Sequence, residues 1–545
     1  MKAEKIVVGK IYLSDGTGKT AEAMAIADGK VVAVGREEEI LALRSEGTEV
    51  IRREGLVIPG ITEGHAHVTG ATEELFGVAL GHEEDPSAYL EKIEGYIKTH
   101  PGVKAVIGSG YDNGVFGPEG PKTCMLDTVC RDVPAVMIAS DHHSRWLNTK
   151  AMELAGITKD SVSPLNGEIV RDRGGNPTGW LKESAMALAN PVIPATEPSA
   201  YAAAIGHYQQ IALSYGVTNV FEPMFDPLRD YSARAEGYRL LDKSGGLYLT
   251  ARLGYSIEAD DDAERAFGEI LSIKDRLSDC ENVSLTTAKF FADGVVECHT
   301  AYLSQDYCDT PGDRGIPTMS GDELTKLVLR SVENGLDVHI HVIGDAALDM
   351  ALDAFSAANV VYGEGEADLR GAVTHLQIVR PDQIERMKNT GAYAVTNPYW
   401  HYFSKVYYDE LELPYLGEER ASKEYPMRSL VQAGVPVSVA SDFPVTTPPN
   451  TMQALGLMVT RRDPADKNAP ALCPGERIAL CKALDALTAG GAKQLRLDGR
   501  KGKLVPGMDA DFAVLDRDPF AIPPEEICDI SVDETYISGI LRYKK

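Results

Sequence analysis

Two histidines spaced i, i+2 close an apolar stretch, Val57-Ile58-Pro59-Gly60-Ile61-Thr62-Glu63-Gly64-His65-Ala66-His67. Side chains two apart on a strand point to the same side, so His65 and His67 can reach one metal ion together. A polar strand end would look the same, and the residues downstream decide between the two readings. Lys289 lies inside the apolar run Thr287-Ala288-Lys289-Phe290-Phe291-Ala292-Asp293-Gly294. It is either a buried lysine paired with a carboxylate such as Asp293 or Glu222, or a carbamylated lysine, which presents a carboxylate-like ligand to two metals. A second H-x-H follows in Asp337-Val338-His339-Ile340-His341-Val342-Ile343-Gly344-Asp345. His341, nearer the strand end, is the better ligand. His339 faces the same side but deeper, as a core histidine or one that braces a ligand from behind. Asp345 is placed to cap the next helix. His375 ends the run Ala372-Val373-Thr374-His375, and Asp442 follows Val435–Ser441 just before Pro444, where a turn residue would also stand. Taken singly, each is ambiguous. Together, imidazoles and carboxylates at the ends of successive strand candidates suit zinc or a similar divalent ion.

The elements that must position these residues are short apolar strands alternating with amphipathic segments. Strand candidates are 103–109, 135–140, 216–221, 286–292, 337–342, 372–376, 391–396 and 435–441, with helical candidates such as 199–215, 322–334 and 345–358 between them. Repeated β then α means a parallel sheet covered by helices, and the number of units favours a (β/α)8 barrel over an open sheet. In such barrels the chemistry lies where the strands end. Both chain ends read instead as hairpin-forming strands: 5–13 and 23–35 alternate apolar and polar residues around Gly-containing turns, and 502–545 has the same character. The expected organisation is α/β: a composite β-sandwich domain from residues 1–56 and 495–545, and a TIM barrel with insertions over 57–494. Gly18-Lys19-Thr20 is not a phosphate-binding loop, because the first glycine of that motif would fall on Leu13.

With 54 Lys and Arg against 81 Asp and Glu, the formal net charge is −27, which argues against nucleic acid, whose binding needs clustered Lys and Arg, and disfavours anionic membranes. None of the eight cysteines forms a C-x-x-C pair, so no zinc knuckle or thioredoxin-type motif is implied, and reduced thiols are expected. The stretch after Met1 has no signal-peptide apolar region, and no apolar run is long enough to span a bilayer. A cytoplasmic protein is expected.

With its residues assembled in this order, the sequence resembles the amidohydrolase superfamily, and within it the amidohydrolase-3 branch that includes N-substituted formamide deformylases. Pro-Gly-x-x-Glu-x-His-x-His departs from the family pattern only in Glu63, where an Asp is usual. Lys289–Gly294, His341–Asp345, His375 and Ser441–Val445 match the motifs of the family's fourth, fifth, sixth and eighth barrel strands. Asp141–Asn148, Gly179–Glu183, Tyr425–Leu430 and Val505–Asp511 also fit. The resemblance implies that His65, His67 and Asp442 hold a buried metal, that His341 and His375 hold a second, and that carbamylated Lys289 bridges them. Two zinc ions are implied, with manganese or iron as alternatives. The implied reaction is hydrolysis of an N-substituted amide, an N-acyl or N-formyl amine, by a metal-bridging hydroxide, with Asp442 as general base then acid. Candidate substrate contacts are Asp112, His143, Trp146 and His401. The alternatives are a deaminase of the same superfamily, which would release ammonia without a carboxylic acid, and a catalytically inactive metal-binding barrel. The partner expected is a small-molecule amide, and the assembly a homodimer, since relatives are frequently dimeric.

Overall fold

The computed structural model describes residues 2–81, 83–164, 167–224, 230–363, 369–466 and 468–545. Eight parallel strands form one sheet in chain order: β1 (Ile61–Glu63), β2 (Val217–Glu222), β3 (Thr250–Ser256), β4 (Val283–Phe291), β5 (Asp337–Val342), β6 (Gly371–His375), β7 (Tyr393–Thr396) and β8 (Val437–Val439). The first and last are joined by Gly64 N donating to Val439 O at 2.9 Å and Asp442 N donating to His65 O at 2.9 Å, so the sheet closes on itself. This is the (β/α)8 barrel expected. All residues of β2, β5 and β6 are buried, as befits strands covered on both faces.

Helices Pro198–Ser214, Gly321–Glu333 and Asp345–Tyr362 answer to the three helical segments read from the sequence. Gly321–Glu333 starts where Ser320 accepts a hydrogen bond from Glu323 N, with Asp322 and Glu323 in its first turn, both favourable at a helix N-terminus. Asp345 does not cap the helix that follows β5. The N-cap is Gly344, and the Asp345 carboxylate instead accepts from Ser304 N at 2.8 Å and from Arg380 at 2.7 Å.

Two strand candidates belong elsewhere. Val106–Tyr111 and Ala135–Ala139, read as barrel strands, pair within a separate six-stranded sheet with Val78–Ala79, Ser144–Leu147, Pro177–Glu183 and Gly167–Arg171. Their places in the barrel go to β1 and β3. Alternation of apolar residues reports that a strand is buried but not which sheet buries it.

Both chain ends enter one eight-stranded sheet. Phe512–Leu515 pairs antiparallel with Val57–Pro59, and Ile11 of Lys5–Tyr12 stands opposite Val57. Period-two alternation gives this sheet two apolar faces: Val7, Met24 and Phe512 share one core, and Ile6, Val8 and Ala25 another. The chain divides into two compact units. One comprises Met1–Ala66, Gly206–Pro223 and Leu241–Lys545, and so holds the barrel and the two-ended sheet; the other comprises His67–Ile205 and Met224–Leu240 and holds the six-stranded sheet. Among the described residues no helix is long and apolar enough to cross a membrane, and all eight cysteines are free.

Candidate metal centre

The functional residues gather at the C-terminal ends of the barrel strands. Each of His65, His67 and Asp442 offers one ligand atom, and the three atoms lie within 4.8 Å of one another. His65 leaves β1 and Asp442 leaves β8, the two strands that close the barrel. Glu63 ties the two exits together: its Oε1 accepts from His65 N at 3.2 Å and from Ser441 N at 2.8 Å. Burial pushes the Glu63 carboxyl up to about 7, against the pull of those two hydrogen bonds. Glycine suits position 64, since a Cβ would stand 2.9 Å from both Val439 O and Gln494 Oε1. Asp442 and His375 take left-handed backbone conformations, with φ of 59° and 78°. Such conformations are costly for non-glycine residues and persist where the surroundings enforce them, as at sites that must aim a side chain.

The imidazoles are held in defined directions. His65 Nε2 lies 3.1 Å from Asp442 Oδ1, and its Nδ1 lies 2.8 Å from Nε2 of the fully buried His339. The His341 and His375 rings meet edge to face at 4.6 Å, and His375 is 5.4 Å from His65. His341 Nε2 donates to Gly294 O at 3.1 Å, which leaves the lone pair of a neutral ring on Nδ1. Asn397 Nδ2 donates to Ala440 O at 3.2 Å, so its Oδ1 faces His375 Nδ1 at 3.0 Å and accepts its proton. The lone pair of His375 is therefore on Nε2. The donor set, buried imidazole nitrogens and a carboxylate converging from four strands, fits a divalent cation of the zinc type.

A profile of the amidohydrolase family matches residues 53–543 of the chain. The chain belongs to this family, in its amidohydrolase-3 branch. Over 561 aligned residues this amidohydrolase is 28% identical to the N-substituted formamide deformylase of Arthrobacter pascens, covering 100% of this chain and 99% of that one. It is also 28% identical to the protein LONG AFTER FAR-RED 3 of Arabidopsis thaliana, covering 97% and 90%. Among solved structures it superposes on an uncharacterized metal-dependent hydrolase from Pyrococcus furiosus with a TM-score of 0.71 and 25% identity, covering 94% and 99% of the two chains. The family makes this amidohydrolase a metal-dependent hydrolase.

In this amidohydrolase Lys289 is buried on β4, level with Ser256 of β3 and His339 of β5. Its ammonium lies over the Phe291 ring at 4.5 Å. Burial pulls its pKa down to about 7, opposed by the charges of Asp442 and Glu258. Asp293, one of the carboxylates considered as its partner, accepts from the backbone N–H groups of Ile343, Gly344 and Tyr302, and so shapes the turn after His341. The same burial, beside Lys289 and His65, holds the His339 pKa well below that of free histidine.

The four candidate substrate contacts are distributed between the units. Asp112, His143 and Trp146 lie in the second unit. Asp112 Oδ1 accepts from Gly114 N at 2.9 Å and caps the turn Asn113–Phe116. His143 Nδ1 is 3.0 Å from Glu183. Trp146 is sealed in the core of the six-stranded sheet, its indole nitrogen donating to Lys122 O at 2.9 Å. His401 follows β7 in the barrel unit. It is buried and stacked on Tyr425 at 4.6 Å, and neither ring nitrogen has a hydrogen-bond partner among the described residues. The residues that reading by strand position missed are those acting through another side chain: Asn397 behind His375, and Glu258 near Lys289. Asn397 ends an apolar strand immediately before Pro398, a signal of the same kind as those that marked Asp442.

Proposed function

We propose that this amidohydrolase cleaves a non-peptide C–N bond in an N-substituted amide, an N-acyl or N-formyl amine, releasing an amine and an acid. One observation carries the reading: His65, His67 and Asp442, from opposite ends of the sequence, converge within 4.8 Å where the barrel strands end. These three would hold one divalent ion. His341, through Nδ1, and His375, through Nε2, would hold a second, and Lys289, as a carbamate, would bridge them. Bound there, the ions would polarise the scissile carbonyl and lower the pKa of a water towards about 7. The chain supplies the proton traffic. The Asp442 carboxylate accepts the proton of the attacking water and returns it to the departing nitrogen, as base and then acid. The low polarity around Lys289 favours its neutral amine, the form that adds carbon dioxide. His401, with two buried ring nitrogens to satisfy, is the barrel residue best suited to hydrogen-bond the amide. Similarity to the formamide deformylase supports an N-formyl or N-acyl amine as the substrate class.

The test is a screen of N-formyl, N-acetyl and N-acyl-amino-acid amides with amine detection, run beside elemental analysis of the purified protein. Amine and acid in equal amounts, from protein carrying about two ions per chain, are the expected result. Ammonia without an acid product would replace the amidase reading with that of a deaminase. Full activity in excess chelator after prolonged dialysis would remove the metal from the reaction.

A further inference from the structure

A neutral imidazole has one N–H and one lone pair, so the bond made by one ring nitrogen dictates what the other can do. His65 Nε2 faces Asp442 Oδ1 at 3.1 Å, and its Nδ1 is paired with His339 Nε2 at 2.8 Å. The His339 bond links two ring nitrogens, and either can donate. Which one does is set at the far side of His65. If His65 Nε2 carries the proton and gives it to Asp442, Nδ1 must accept and His339 must donate. If His65 Nε2 gives its lone pair to a cation, the proton must be on Nδ1 and His339 Nε2 must accept.

We propose that His339 is a positioning residue that sets the metal-ligating tautomer of His65: its Nε2 accepts the His65 Nδ1 proton and keeps the His65 Nε2 lone pair turned to the cation. The inference rests on the metal-dependent reading of the site and adds to it a residue outside the ligand set. The fold makes the pairing rigid. His339 is level with Lys289 and Ala372 on the neighbouring strands, fully buried, and packed against Phe221 with ring centroids 4.7 Å apart. It also lines a small cavity with Thr287, Asp337 and Gln494.

Two experiments on the full chain test this. In the first, zinc is titrated against a competing chelator into wild type, His339→Gln and His339→Leu. Glutamine can place its amide oxygen near the position of Nε2 and accept the same bond; leucine fills the space and cannot. His339→Leu should bind zinc about 10- to 100-fold more weakly, and His339→Gln should recover most of that loss. Equal affinity in His339→Leu and wild type, or no recovery in His339→Gln, would overturn the assignment. In the second, which needs no variant to fold, histidine 15N spectra of wild type are compared with and without zinc. Both His65 and His339 should carry the proton on Nδ1 when loaded; a proton on His339 Nε2 in the loaded protein would overturn it. Wild type that takes up no zinc at all would refute the reading of the metal centre itself, a distinct result from zinc binding that ignores residue 339.

Discussion

The two halves of the centre are braced in different ways. Where β1 meets β8, the ligands are backed by other ionisable side chains: His339 behind His65, and Glu63 tying the His65 and Ser441 backbones. Across β5 and β6 the backing is neutral, a peptide carbonyl behind His341 and a primary amide behind His375. Neutral, singly directed partners impose one tautomer whatever the occupancy. A histidine partner permits two. The difference teaches that the fold alone fixes the tautomers in the β5/β6 half, while on the proposed reading the β1/β8 half would complete its geometry only with a cation bound.

The largest effect should come from Asp442→Asn, which strikes the β1/β8 half at the group that also moves protons. Turnover should fall about 100- to 10,000-fold with metal content nearly intact, read as kcat beside elemental analysis; an unchanged kcat would end its role as proton carrier. Lys289→Ala should separate the halves by removing the group proposed to bridge them, so that metal content drops from about two ions to about one. Equal occupancy in variant and wild type would argue that nothing is bridged there. Asn397→Ala tests the neutral bracing. It frees the His375 ring and should weaken the second ion about 10- to 100-fold while the first is retained, which a chelator titration resolves as two steps moving apart. The smallest change should come from Gly64→Ala, where the new methyl meets Val439 O and Gln494. A loss of about 1–3 kcal/mol in stability is expected by denaturant unfolding, and a fully stable variant would mean that the β1/β8 closure can give way.

The residues proposed as ligands stood out in the sequence because their types are out of place: histidine, lysine and aspartate stand where an apolar run should simply turn. β4, β5 and β6 were legible with them, β5 and β6 being buried throughout and β4 being nine residues long. β1 and β8 are three residues each and were recognised through the residues that follow them. β3 was missed because Arg252 and Gly254 interrupt its apolar pattern. The misplacement of Val106–Tyr111 and Ala135–Ala139 has a related cause, since strand pairing is a long-range choice that a local pattern does not encode. Glu258 and the His65–His339 bond were illegible for the same reason. Each depends on register between strands distant in sequence.

Gly60 alone separates Val57–Pro59, a strand of the two-ended sheet, from β1, and its N–H donates to Asp511 O at 2.8 Å. Beyond that bond Phe512–Leu515 runs alongside Val57–Pro59. The carboxy-terminal segment thus has a grip on the backbone leading to His65. A proteolytic nick or a bulky fusion near this end should therefore disturb the backbone that aims His65, and should lower the metal affinity proposed for this centre before it melts the barrel.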